Sequence, residues 1–128
     1  MTTFTRTKQI RKGEFGRLLR QHRKLAGKTL GQVARKLGVS VVYVSDVERG
    51  NRAPFVTPRI VSAARFFHAG PENLLQAAAK ERGFFEFDVS AASPKAMQAL
   101  SGLARRDVTD DQWDEIVRIL NEHKSGGE

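Results

Sequence analysis

The feature that most constrains this 128-residue chain is a pair of helix signals set almost end to end in residues 29–50. Thr29 has the character of an N-cap, and Gln32, three residues on, completes a capping box in which two orphan backbone N–H groups find side-chain acceptors. The helix it opens, Leu30 to Leu37, turns Val33, Ala34 and Leu37 inward and is stopped by Gly38. Ser40 is the next N-cap, only two residues later. The helix after it runs Val41 to Arg49, with Val44 and Val47 inward at i, i+3 and Gly50 as its terminating glycine. Two helices of about eight residues joined by so short a turn have the helix-turn-helix geometry.

Helical periodicity continues on both sides. A first helix fits Glu14 to Ala26, with Phe15, Leu18, Leu19, His22 and Leu25 on one side, Arg17, Arg20 and Lys24 on another, and Gly27 ending it. A loop from Asn51 to Val56 carries Arg52 and Pro54. Thr57 then reads as an N-cap with Pro58 at the first helical position, opening a fourth helix to about His68. Gly70-Pro71 breaks the chain before a fifth helix, Glu72 to about Arg82. Residues 83–92 read as an extended linker that docks through Phe84, Phe85 and Phe87. Two more amphipathic helices follow. One opens at Ser93-Pro94 with Met97, Leu100 and Leu103 in its stripe. The other opens at a second capping box, Thr109 and Gln112, and carries Trp113, Ile116, Val117 and Leu120 at i, i+3, i+4, i+7. The fold class is all-α. Its expected divisions are a flexible basic arm (1–13), a five-helix domain (14–82), a linker (83–92) and a two-helix C-terminal module (93–124), with a fraying tail.

Charge sharpens this division. The net charge is +8, but residues 1–36 hold eleven Lys and Arg against one acid, whereas residues 83–128 hold five against nine. A cationic half joined to a mildly anionic one points to a polyanion-binding module attached to a module with another task. The absence of cysteine excludes a disulfide framework, Cys-ligated zinc and thiol catalysis. No apolar run approaches membrane-spanning length, and Met1 to Lys12 has no apolar h-region, so the default is a cytoplasmic protein with no membrane partner. No catalytic residue is expected: His22, His68 and His123 are far apart, and there is no Gly-rich phosphate loop or Ser/His/Asp arrangement. Asp110, Asp111, Asp114 and Glu115 complement a helix N-terminus and line a solvated face, so neither a metal nor a cofactor is expected.

The stretch from Thr29 to Gly50 resembles the phage-repressor (Cro/CI, or XRE) family of helix-turn-helix regulators. The Val33-Ala34 pair, the Leu37-Gly38-Val39-Ser40 turn and the ending Val44-Ser45-x-Val47-Glu48-Arg49-Gly50 carry the resemblance. It covers about residues 14–79 and implies a five-helix, lambda-repressor-like domain that binds double-stranded DNA, with the third helix in the major groove. Carried over by position, Val41, Val42, Tyr43 and Asp46 face the groove, with Tyr43 touching either a base or a phosphate. Glutamines often stand in this family where this chain has Leu30, Val41 and Val42; the aliphatic replacements pack on thymine methyls rather than forking to adenine. Asp46 either accepts from a cytosine N4 or satisfies a nearby donor. Thr29 and Ser40 either only cap their helices or also donate to phosphate oxygens. Arg49, Asn51 and Arg52 fall where the family meets the DNA backbone. Arg17, Arg20 and Lys24 extend that patch, and the arm from Arg6 to Lys12 reaches a minor groove or raises local cation density. By the same resemblance Arg23 and Glu48 form a structural pair that braces the third helix.

The C-terminal stripes, Met97/Leu100/Leu103 and Trp113/Ile116/Val117/Leu120, need a partner surface, which is another protomer, each other or the rest of the chain. Homodimerisation is the preferred reading, and the expected function is a homodimeric repressor acting on a two-half-site operator. The alternative is an antitoxin-like regulator whose C-terminal helices bind a partner protein. An RNA-binding role is disfavoured, because the major groove of A-form RNA is too narrow to take a helix.

Overall fold

The computed structural model describes residues 13–126; residues 1–12, which make up nearly all of the expected arm, and residues 127–128 of the tail lie outside the described residues. Among the described residues there are seven helices and no strand: α1 (Glu14–Leu25), α2 (Leu30–Leu37), α3 (Val41–Glu48), α4 (Thr57–Phe66), α5 (Glu72–Arg82), α6 (Pro94–Arg105) and α7 (Asp110–Gly126). They form two units, divided between Asp88 and Val89.

In the first unit α2 packs on α3 and α4, α1 on α3 and α5, and α4 on α5. The core where they meet is Phe15, Leu19, Val33, Val44, Val47, Phe55, Ile60 and Leu74, all fully buried. Each such side chain contributes about 1.5–3 kcal/mol relative to exposure. The turn between α2 and α3 is set by Gly38, whose φ of 71° lies in the left-handed region that glycine enters without a Cβ clash. The capping box closes as a reciprocal pair: the Gln32 N–H donates to Thr29 Oγ1 at 3.0 Å and the Thr29 N–H to Gln32 Oε1 at 2.8 Å.

Several local expectations are corrected by contacts distant in sequence. Leu25 stands outward, 80% exposed. The buried face of α1 is Phe15, Gly16, Leu19 and Arg23, so it is centred on a glycine and an arginine that a hydrophobic stripe leaves out. Thr57 is not an N-cap but the first residue of α4, with Val56 at the N-cap position. Its hydroxyl donates to the Glu86 carbonyl at 3.0 Å, and its N–H to the Glu86 carboxylate at 3.3 Å. Residues 83–88 accordingly belong to the first unit. They attach there through Glu86, while Phe84, Phe85 and Phe87 remain 57%, 57% and 64% exposed.

The second unit holds α6 and α7. Ser93 Oγ caps α6, accepting from the Ala96 N–H at 3.1 Å, and Thr109 and Gln112 close a second reciprocal box at 3.2 and 2.9 Å. No described side chain of residues 89–122 is fully buried. Between α6 and α7 lies an open cavity of about 430 Å³, with Ala99, Leu103, Val108 and Ile116 among its lining residues. No helix of the described residues is long and apolar enough to cross a membrane.

Candidate nucleic-acid interface

The candidate interface is built outward from α3. Val44 and Val47 are fully buried, which fixes the roll of this short helix and leaves Val41 and Val42 outward, 46% and 67% exposed. Ser40 Oγ accepts from the Tyr43 N–H at 3.0 Å. Ser40 and Thr29 each spend a lone pair on capping, which keeps the hydroxyl hydrogen available to an outside acceptor.

The far end of α3 is held by charge. The Arg23 Nε and Nη2 groups donate to the two Glu48 carboxylate oxygens at 2.7 and 3.0 Å, and Arg23 Nη1 donates to the Lys28 carbonyl at 2.9 Å. Both residues are buried, each 9% exposed. One guanidinium therefore ties the end of α3 to the turn after α1 in a bidentate, fully directed geometry. Directly beside this pair α1 and α3 meet backbone to backbone. A Cβ at Gly16 would stand 2.6 Å from the Glu48 carbonyl oxygen and collide with that of Val47.

Past α3 the exposed polar residues are Arg49, Asn51 and Arg52. Arg49 donates to Asp46 at 3.2 Å, so Asp46 has a donor within one turn and the two residues share their charge. Arg17 pairs in the same way with Glu14 at 2.5 Å and remains exposed. Tyr43 is half-buried: its ring lies 5.7 Å from that of Phe55, and its hydroxyl accepts from Arg59 Nη1 at 3.1 Å.

Three supporting groups carry no local sequence signal. Glu81, on α5, accepts from the Gly13 and Phe15 N–H groups at 2.7 and 3.0 Å and so caps α1 from a distance. Arg82 donates to the Pro54 and Phe55 carbonyls at 2.7 and 2.6 Å, pinning the segment that leaves α3. Phe55, expected in a loop, is fully buried and packs edge-on to Phe15 at 5.8 Å. An aromatic residue directly after Pro54 was the available hint; the partners of Glu81 and Arg82 had none, being 27 or more residues away.

A family model described as a helix-turn-helix domain matches residues 14–78. The chain belongs to the helix-turn-helix domain family. The match takes in α1 to α4 and most of α5 and ends before Glu81, so it coincides with the stretch on which the phage-repressor resemblance rests. A curated relative, the uncharacterized HTH-type transcriptional regulator YazB of Bacillus subtilis (strain 168), is 48% identical over 40 residues. That alignment covers 31% of this chain and 58% of YazB, less than two thirds of the relative's length. Among solved structures, the SinR protein/SinI protein complex aligns with a TM-score of 0.45 at 20% identity, covering 87% of this chain and 98% of that one.

Proposed function

We propose that this helix-turn-helix protein is a sequence-specific double-stranded DNA-binding transcriptional regulator. It acts in the cytoplasm as a homodimeric repressor on an operator of two half-sites. The observation that carries the reading is the division of labour on α3: Val44, Val47 and Glu48 are locked into the domain, while Val41 and Val42 are presented outward on its first turn. A helix held this rigidly can enter a major groove without an ordering cost, and its aliphatic first turn suits thymine methyl groups. Thr29, Ser40, Arg17, Arg49, Asn51 and Arg52 supply the phosphate contacts that set affinity. Asp46 acts chiefly on Arg49 and only secondarily on a base.

Dimerisation runs through the second unit. Met97, Leu103, Trp113, Val117 and Leu120 are all exposed there, and Leu100 and Ile116 are half-buried. The alternative, capture of a partner protein by the same stripe, rests on the same exposure. Selection of bound sites from random duplex DNA, combined with the mass of the free protein, tests both. A two-half-site motif and a dimer mass support the proposal. No sequence preference sinks the specific-regulator reading, and a monomer mass moves the stripe to a protein partner.

A further inference from the structure

We propose that Arg59, which the sequence pattern does not single out, joins Arg52 in a phosphate clamp assembled on Tyr43. Its ligand is a phosphodiester of the DNA backbone, so the inference rests on the DNA-binding reading above.

Three observations converge on one ring. Tyr43 is anchored below by Phe55, which is fully buried with its ring 5.7 Å away. The Arg52 guanidinium carbon lies 5.0 Å from the Tyr43 ring centroid and that of Arg59 lies 5.5 Å from it. Arg59 is also 5.9 Å from the Phe55 centroid and gives one N–H to the Tyr43 hydroxyl at 3.1 Å.

Two guanidinium groups are thereby gathered on an uncharged post. Among the described residues neither has a carboxylate within ion-pairing distance. Gathering like charges without a counter-ion is unfavourable, and an anion bound between them reverses the sign. Each guanidinium has five N–H donors in a planar fork, and Arg59 spends one on Tyr43. The remainder match the oxygens of a phosphate, which planar arginine forks bind bidentately.

The clamp's position selects the backbone as the source of that phosphate. Tyr43 belongs to the first turn of α3, beside the exposed Val41 and Val42, and Arg52 lies on the segment leaving α3. The clamp therefore sits at the proposed reading helix. Tyr43 then acts as a positioning residue that holds two arginines, rather than as a reader of bases. Its contribution is the same for every DNA sequence.

The test uses the full chain and a labelled random-sequence DNA duplex, titrated at several salt concentrations. Arg59→Ala is expected to weaken binding about tenfold and to lower the slope of log K against log salt by about 1, the signature of one lost phosphate contact. Tyr43→Phe keeps the ring and removes the anchor, and is expected to cost about threefold. Arg59→Lys keeps the charge and therefore most of the slope, but loses affinity with the fork. The wild-type protein gives a readout independent of any variant's folding. The Arg52 and Arg59 Nε–H resonances should shift on adding duplex, and shift far less with inorganic phosphate at equal phosphate concentration. An unchanged slope for a folded Arg59→Ala, an unmoved Arg59 resonance, or equal saturation by inorganic phosphate would each overturn the clamp while leaving DNA binding intact. Failure of the wild-type protein to bind any duplex would remove the DNA-binding reading and the clamp with it.

Discussion

The helix that follows Thr29 and the helix that follows Thr109 start in the same way. Both open with a threonine–glutamine capping box, closed by reciprocal bonds of 2.8 and 3.0 Å in one case and 2.9 and 3.2 Å in the other. From there they diverge. α2 buries Val33 and Ala34 in a core assembled from five helices. α7 carries an equally regular stripe, yet Trp113, Val117 and Leu120 are 44%, 51% and 64% exposed. Local signals thus suffice to place a helix, but burial decides which helices hold a rigid surface and which offer an unfilled one. The first unit holds α3 against a fully buried core and can present it firmly. The second has no fully buried side chain among its described residues, which is why the proposed dimer contact is placed there.

The contrast is broken most severely at the buried ion pair. Arg23→Ala leaves the Glu48 carboxylate buried without a partner and is expected to destabilise the first unit by about 3–5 kcal/mol, read from a urea melt. A loss below about 1 kcal/mol, the range of exposed pairs, would show that this pair does not brace α3.

Next is the backbone contact beside it. Gly16→Ala sets a methyl against the Val47 and Glu48 carbonyls and should cost about 1–3 kcal/mol, because neither helix can retreat without opening the core. An unchanged melt would mean that α1 and α3 slide apart freely. Glu81→Ala, which strips two long-range caps from α1, should cost about 1–2 kcal/mol in the same assay.

In the second unit the expected readout is different. Val117→Glu with Leu120→Glu should leave the first unit's unfolding transition in place and convert a dimer to a monomer in sedimentation equilibrium. A dimer that survives both substitutions would move self-association off α7.

The smallest effects compare the two boxes directly. Thr29→Ala should lower the stability of the first unit by about 1 kcal/mol, since its helix is part of a cooperative core. Thr109→Ala should leave that transition unmoved and appear only as faster amide exchange in the first turn of α7. Equal effects of both on one transition would mean that the two units unfold together.

The sequence alone was enough to place α2, α3, α6 and the start of α7. Their signals are local: a cap hydroxyl three residues from its N–H, a left-handed glycine, and a run at helical period. The Arg23 and Glu48 partnership was legible only through the resemblance, because nothing local joins residues 25 apart. The candidate contacts on α3 and after it were legible as residue types, but not as arrangements. Pattern left open whether Asp46 meets a base or a nearby donor, and could not tell that Tyr43 collects two arginines.

What only the tertiary structure decided follows one rule. A helix end, a glycine or an arginine takes its role from whatever is packed against it, and that neighbour can lie anywhere in the chain. Glu81 became the cap of α1, Glu86 the cap of α4 in place of Thr57, and Gly16 the point where two backbones touch. The hydrophobic pattern of α1 included Leu25 and omitted Arg23, and the structure reversed both. A hydrophobic residue can be left outside at little cost, whereas a buried charge stays only where its partner is already in place.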